Sequence, residues 1–285
     1  MKKVLNTIFA VTLALTGVAQ GPSIDAGPDE VVCPPDCVTI TATYVGGGGN
    51  TGDYTVEAIP FAPDAYAGTT VAISDDGTTP AIPIGFDFCF YGNTYNEFYI
   101  GANGWVGFTG PFFSYTPVAI PDAAPTTPKN CVMGPWQDLN RSIGGTVQYQ
   151  VLGVAPSRRL VVTWRTVPFF SCTGIFNTQQ IILYEGSNQI ENHIETKFTC
   201  PGWVGGRAVQ GVHNIDGTEA VVNPGRNNTV WTADNDAIRY TPTGEPDVHW
   251  FDEGGTLIGT DPTITLCPDV TTTYTARLIS CGLEL

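Results

Sequence analysis

Positive charge is scarce in this 285-residue chain: 12 Lys and Arg stand against 27 Asp and Glu, for a formal net charge of −15 at pH 7. A field of that sign repels phosphate backbones and anionic lipid, which argues against nucleic acid as a partner. Histidine is nearly absent, limited to His193, His213 and His249. No G-x-S-x-G, H-E-x-x-H or P-loop spacing occurs, so the common motif-borne chemistries have no foothold. Past the first twenty residues no apolar run is long enough to cross a bilayer as a helix. Nor does any window longer than about ten residues carry a convincing 3.6-residue period, so helices are expected to be minor.

What the chain has instead is punctuation and cysteine. It contains 33 glycines, 22 prolines and 8 cysteines, with charged residues at only 14%. Turn formers at that density suit many short strands. Cysteines in such number suit an oxidising compartment. The start agrees: Lys2 and Lys3 precede the mostly apolar Val4 to Val18, and Gly17-Val18-Ala19 offers small residues for cleavage before Gln20. Residues 1–19 therefore read as an export signal, too short and wrongly flanked for an anchor. Its removal takes away Lys2 and Lys3, leaving 10 basic residues against 27 acidic ones.

Strand patterns follow almost everywhere after residue 24. In Leu160-Val161-Val162-Thr163-Trp164-Arg165, the residues Leu160, Val162 and Trp164 share one face while Val161, Thr163 and Arg165 share the other, as in a half-buried strand. Gln180 to Glu185 and Ile190 to Ile194 read as two further strands around the turn formers Gly186-Ser187-Asn188. Phe86, Phe88 and Phe90 fall on one strand face, as do Phe98 and Ile100, so these aromatics are expected in the core, with Trp105, Trp136 and Trp164.

Two composition breaks divide the chain: the glycine run from Val45 to Gly52, and Thr241-Pro242-Thr243-Gly244-Glu245-Pro246. The expected organisation is signal 1–19, short β segment plus linker 20–52, a large β unit 53–242, and a second short β segment 243–285. Each flank is too small to fold alone. The first carries Ala26-Gly27-Pro28-Asp29 and Val38-Thr39-Ile40-Thr41-Ala42, and the second Thr271-Thr272-Thr273-Tyr274-Thr275-Ala276. They resemble the opening and middle strands of a bacterial immunoglobulin-like, PKD-like repeat found in surface proteins of gliding, Bacteroidetes-type bacteria. That resemblance implies one sandwich split by the central unit, with two partial tandem repeats as the alternative.

The central unit reads Phe86-Asp87-Phe88-Cys89-Phe90-Tyr91-Gly92, then Ala102-Asn103-Gly104-Trp105-Val106-Gly107-Phe108. Pro135-Trp136-Gln137-Asp138, Val161-Val162-Thr163-Trp164 with Val167-Pro168-Phe169-Phe170, and Val204 to Gly211 follow in order. This series resembles the nidogen-like (NIDO) extracellular domain, with Gln137 in place of the family's usual small residue. The resemblance implies an all-β, nidogen-like sandwich inserted in or flanked by an immunoglobulin-like one, in an adhesive or matrix setting with no catalytic residues.

Among candidate site residues, all eight cysteines are expected in disulfides, and connectivity is inferred from segment order. Cys89–Cys131 and Cys172–Cys200 would stay within the central unit, and Cys33 or Cys37 would meet Cys267 if the flanks form one sandwich. The alternative is Cys33–Cys37 beside Cys267–Cys281. A zinc site from these four is disfavoured in an oxidising compartment. Glu191, His193 and Glu195 alternate on one strand about 7 Å apart and read as the wet face of a hairpin rather than a metal or acid–base set. Asp75-Asp76-Gly77, Asp216-Gly217 and Asp234-Asn235-Asp236 are turn formers compatible with calcium but lacking EF-hand spacing. Phe112, Phe113 and Tyr115 sit in Gly110 to Pro117 without strand register and form the expected contact patch.

The functional expectation is a secreted, non-catalytic cell-surface protein that assembles with other surface proteins or copies of itself. A glycan-binding module, which needs an exposed row of Trp or Tyr above a groove, and a secreted hydrolase with paired carboxylates are the rivals. The chain stops just after a predicted strand at Ser280-Cys281, so an open sheet edge is expected there.

Overall fold

The computed structural model describes residues 22–46 and 52–284. The expected export signal and most of the glycine run lie outside the described residues. Within them the chain is all β, and the one helical element is a short 3-10 turn, Val204–Gly206.

Two large antiparallel sheets form the central unit. One runs, strand by neighbouring strand, Tyr54–Ala58, Ala233–Pro242, Ile190–Lys197, Phe176–Tyr184, Arg159–Pro168, Thr146–Leu152 and Thr69–Thr70. The other runs Ala220–Val230, Arg207–His213, Cys131–Trp136, Trp105–Gly107, Asn93–Gly101 and Ile82–Phe90. Period-2 alternation turns Phe86, Phe88 and Phe90 inward from the second sheet and Leu160, Val162 and Trp164 inward from the first, into one continuous core. Phe108 sits among Phe88, Phe90 and Tyr95 with ring centroids 5.5, 4.8 and 5.0 Å away. Trp164 also crosses between sheets, its Nε1 donating to the Gly101 carbonyl at 3.1 Å. That bond satisfies the polar handle a buried indole must place somewhere.

The expected half-buried strand at Leu160 to Arg165 is corrected by the structure. Val161 and Thr163 on its outer face are as buried as the core residues. The cause is an irregular strap around residues 59–68 laid across the outside of the seven-stranded sheet. Ile59 N–H donates to the Ala237 carbonyl at 3.0 Å, Gln180 Nε2 reaches the Asp64 carbonyl at 2.9 Å, and Arg159 forks onto the Asp64 carboxylate.

Both flanks of the chain meet in a second, smaller unit. Val38–Thr41 pairs antiparallel with Thr263–Leu266, and Ala42 packs with Val248, Trp250 and Leu278 in a separate core. The four-stranded sheet there runs Leu257–Gly259, Asp247–Phe251, Thr275–Ser280 and Leu283–Glu284. Leu283–Glu284 pairs along Ile279 and Ser280, so the edge expected to stay open after Cys281 is occupied over those two residues.

Three disulfides brace this arrangement: Cys37–Cys267, Cys89–Cys281 and Cys172–Cys200. The first ties the two flanks together, and the second ties the smaller unit to the central one. The expected Cys89–Cys131 pair is therefore wrong. Two strands separate Ile82–Phe90 from Cys131–Trp136, and Cys89 aligns with Thr94 but Cys131, through Gly107, with Tyr99, so the two cysteines lie more than about 14 Å apart at ordinary strand spacing. A disulfide tolerates a Cα separation of roughly 4.4–6.8 Å. Cys131 is a fully buried free thiol, its pKa raised by desolvation alone, and it behaves as a small core residue. Cys33 is likewise free, and exposed, so neither it nor Cys131 joins the expected set of eight.

Because Cys37–Cys267 closes a loop of 230 residues, replacing both cysteines by alanine is expected to cost the smaller unit about 3–5 kcal/mol. Amide hydrogen exchange should then accelerate in residues 38–41 and 263–266 while strand Arg159–Pro168 stays protected. Unchanged exchange in the flanks would contradict that assignment of stability.

Candidate functional site

One end of the central sandwich gathers the residues with the strongest claim to function. The loop from Gly110 to Pro117, which follows the strand Trp105–Gly107, forms no strand of its own, and its side chains divide between anchoring and display. Phe112 packs edge-on against the buried Trp105 with centroids 6.0 Å apart. Phe113 and Tyr115 instead are 63% and 43% exposed. Of the expected patch, then, Phe112 is half-buried and holds the loop, while Phe113 and Tyr115 face solvent.

The backbone of this loop is clamped at two carbonyls. Thr78 Oγ1 donates to the Phe112 carbonyl. The Ser114 carbonyl accepts from Trp136 Nε1 and from Asn103 Nδ2, each at 3.3 Å. Asn103 is 1% exposed and joins three segments. Its Oδ1 accepts from the Leu139 N–H at 2.8 Å, and its Nδ2 also donates to Asp76 Oδ1 at 2.9 Å. The following residue has to be glycine. Gly104 has φ +90°, and a Cβ there would lie 2.6 Å from the Pro135 carbonyl oxygen.

Beside the loop lie Asp75, Asp76 and Asp138, with one carboxylate oxygen of each within 4.8 Å of the other two. Trp203 Nε1 donates to Asp138 Oδ2 at 2.5 Å and its ring packs on Phe170 at 5.2 Å. Phe170, Phe176 and Phe198 are each about two-fifths exposed near the Cys172–Cys200 disulfide. Hydrogen bonds thus link the Ser114 carbonyl, between Phe113 and Tyr115, through Asn103 to Asp76, and Asp138 leads through Trp203 to Phe170. Sequence reading missed Phe170, Phe176, Phe198 and Trp203 as surface, since their strand-like context signals core.

The remaining sequence candidates resolve differently. Glu191 and His193 are buried, not on a wet face, because the strap covers them. Ala62 N–H donates to His193 Nδ1 at 3.3 Å, so the ring proton sits on Nε2 and points to Glu191 at 2.9 Å. Glu191 also accepts from Tyr184 Oη at 2.9 Å and from Arg239 at 2.7 and 3.0 Å. Glu195 lies at a bulge and turns to Tyr66. The set is a closed structural network, with both oxygens of Glu191 engaged. Asp236 is paired with Arg226, and Asp216-Gly217 closes a turn on the Asn214 carbonyl. Sequence reasoning also passed over Lys197, which is 1% exposed. Its ammonium donates to the Trp231 carbonyl at 2.7 Å and lies 4.3 Å over that ring. Burial, with Arg226 nearby, pushes its pKa down to about 7.

A family model described as NIDO related matches residues 53–251. The chain belongs to the NIDO-related family. No curated protein and no solved structure matches it. The NIDO-related match takes in both large sheets, the aromatic loop and all three carboxylates, and runs on through Asp247–Phe251 of the smaller unit.

Within the NIDO-related unit, the Glu191 network predicts a pH dependence. Burial alone would raise the Glu191 carboxyl, but donors from His193, Arg239 and Tyr184 outweigh it and hold the carboxyl below its ordinary 4.5. A depressed carboxylate stabilises the fold above its unfolded pKa and loses that contribution as pH falls through its folded one. Glu191→Gln should therefore cost about 3 kcal/mol at pH 7 and show a shallower loss of stability below pH 4.5 than the parent. Parallel acid-unfolding curves for the two proteins would contradict this.

Proposed function

We propose that the chain is an exported extracellular module that assembles with other surface proteins or with copies of itself, and that it is not an enzyme. The single observation that carries this reading is the display of Phe113 and Tyr115 on a loop whose backbone is clamped by Thr78, Trp136 and Asn103. Large aromatic side chains carried on a backbone fixed in advance lose less entropy on contact than those on a loose loop, and such residues dominate protein interfaces. Membership in the NIDO-related family supports an extracellular structural or adhesive role. Three disulfides fit an oxidising setting. The smaller unit, built from both flanks, is offered as immunoglobulin-like on its strand content and the sequence resemblance.

The rival readings draw less support. Trp105, Trp136, Trp164 and Trp250 are buried and Trp203 and Trp231 half-buried, which removes the exposed row of indoles a glycan platform favours. The Glu191–His193 pair, the nearest thing to an acid–base set in the sequence, is saturated and shielded.

The test is binding of the purified chain, immobilised, to itself and to a detached surface-protein fraction from the producing cell. Phe113→Ser with Tyr115→Ser should weaken whichever association occurs by about tenfold or more while leaving the thermal midpoint unchanged. Undiminished binding by the double variant would overturn the role of the loop. Turnover of a polysaccharide or peptide by the wild type would overturn the non-catalytic reading.

A further inference from the structure

Asp75 and Asp76 occupy a turn closed by the Gly77 N–H on the Ser74 carbonyl at 3.0 Å, and Asp138 follows the strand Cys131–Trp136. These distant segments bring three acidic groups to within 4.8 Å of one another. The way each is held is uniform. One oxygen of each accepts from a neutral N–H: Asn140 Nδ2 on Asp75 Oδ2 at 2.9 Å, Asn103 Nδ2 on Asp76 Oδ1 at 2.9 Å, and Trp203 Nε1 on Asp138 Oδ2 at 2.5 Å. The donors fix the orientation of the carboxylates without neutralising them. Among the described residues no Lys, Arg or His forms a salt bridge with any of the three.

A second observation points to a ligand. Asp138 is only 6% exposed, and its Oδ1 is buried without a hydrogen-bond partner, as is Oδ1 of Asp75. An orphaned buried carboxylate oxygen is costly even when alone. Two of them beside a third acidic group add mutual repulsion between like charges. A positive charge among the three relieves all of this at once.

We infer that Asp75, Asp76 and Asp138 form a divalent-cation site of the calcium class. The donor set is all oxygen, anionic and hard, with no imidazole or thiolate to favour zinc or copper. Its irregular supply, two adjacent turn residues plus one strand end, suits the tolerant coordination of calcium better than the strict octahedron of magnesium. Through Asn103, which bridges Asp76 to the Ser114 carbonyl, the ion would also fasten the turn at residues 74–77 to the aromatic loop. The inference does not depend on the assembly reading, since it stands on the carboxylate geometry alone.

Terbium luminescence tests it on the whole purified chain, because Trp203 donates to Asp138 and can sensitise an ion bound there. Terbium should give saturable indole-sensitised emission at one ion per chain. Calcium should displace it at about 0.1–1 mM, as for extracellular modules, and magnesium should do so much less well. Calcium should also raise the thermal midpoint of the chelator-treated protein. Asp76→Asn, at a half-buried turn position that should not impair folding, and Asp138→Asn should each weaken displacement by about tenfold or more. Trp203→Phe should lose the emission yet keep the calcium-dependent midpoint. Emission unchanged by Asp76→Asn would assign the ion to general surface acidity and overturn the site. Absence of both emission and any calcium-dependent midpoint in the wild type would overturn it as well.

Discussion

The two large sheets of the central unit lie face to face across a single layer of aromatic and branched side chains, and every other feature takes its position from that packing. Phe88, Phe90 and Phe108 on one side and Leu160, Val162 and Trp164 on the other are buried in it. Trp164 adds a directional link by donating across the layer to Gly101. Truncating one such aromatic typically costs about 3–5 kcal/mol, a large share of the stability of any domain. Gly101 ends the strand that leads into Ala102-Asn103-Gly104, so the same contact that locks the sheets also sets the place of Asn103. From Asn103 the order passes outward to Asp76, to Ser114 and to Leu139.

What could be read in the amino-acid sequence is whatever has a short period or a local turn. Phe86, Phe88 and Phe90 announce their face because side chains alternate along a strand, and the Gly186-Ser187-Asn188 hairpin is visible because Gly186 and Asn188 adopt positive φ. What could not be read depends on segments without any period. The strap at residues 59–68 is irregular, so nothing in its sequence announces that it covers Val161, Thr163, Glu191 and His193. By alternation alone those four face solvent. The Cys89–Cys281 link depends on how the smaller unit docks, a contact between distant parts of the chain, and segment order led instead to Cys131. Likewise Asp138 reads as part of a strand motif and gives no sign of its closeness to Asp75 and Asp76.

Two of the buried charges, Glu191 and Lys197, follow one rule. Where a charge is enclosed, partners converge on it: Tyr184, His193 and Arg239 on Glu191, and two carbonyls with an indole face on Lys197. These networks rigidify the sheet to which they belong. The carboxylates at the rim depart from the rule, since they meet neutral donors and one another. This departure lies at the end of the sandwich that also displays Phe113 and Tyr115, the combination of exposed apolar surface and unmet charge that marks a contact surface.

The decisive question for this molecule is whether the framed end of the sandwich is the surface that meets a partner. Hydrogen exchange, compared between the free chain and its assembled or partner-bound state, measures this most directly. Protection concentrated in residues 110–117 and in the neighbouring segment around Phe170 is the predicted result. Protection confined to the smaller unit, with the aromatic loop exchanging equally in both states, would contradict it.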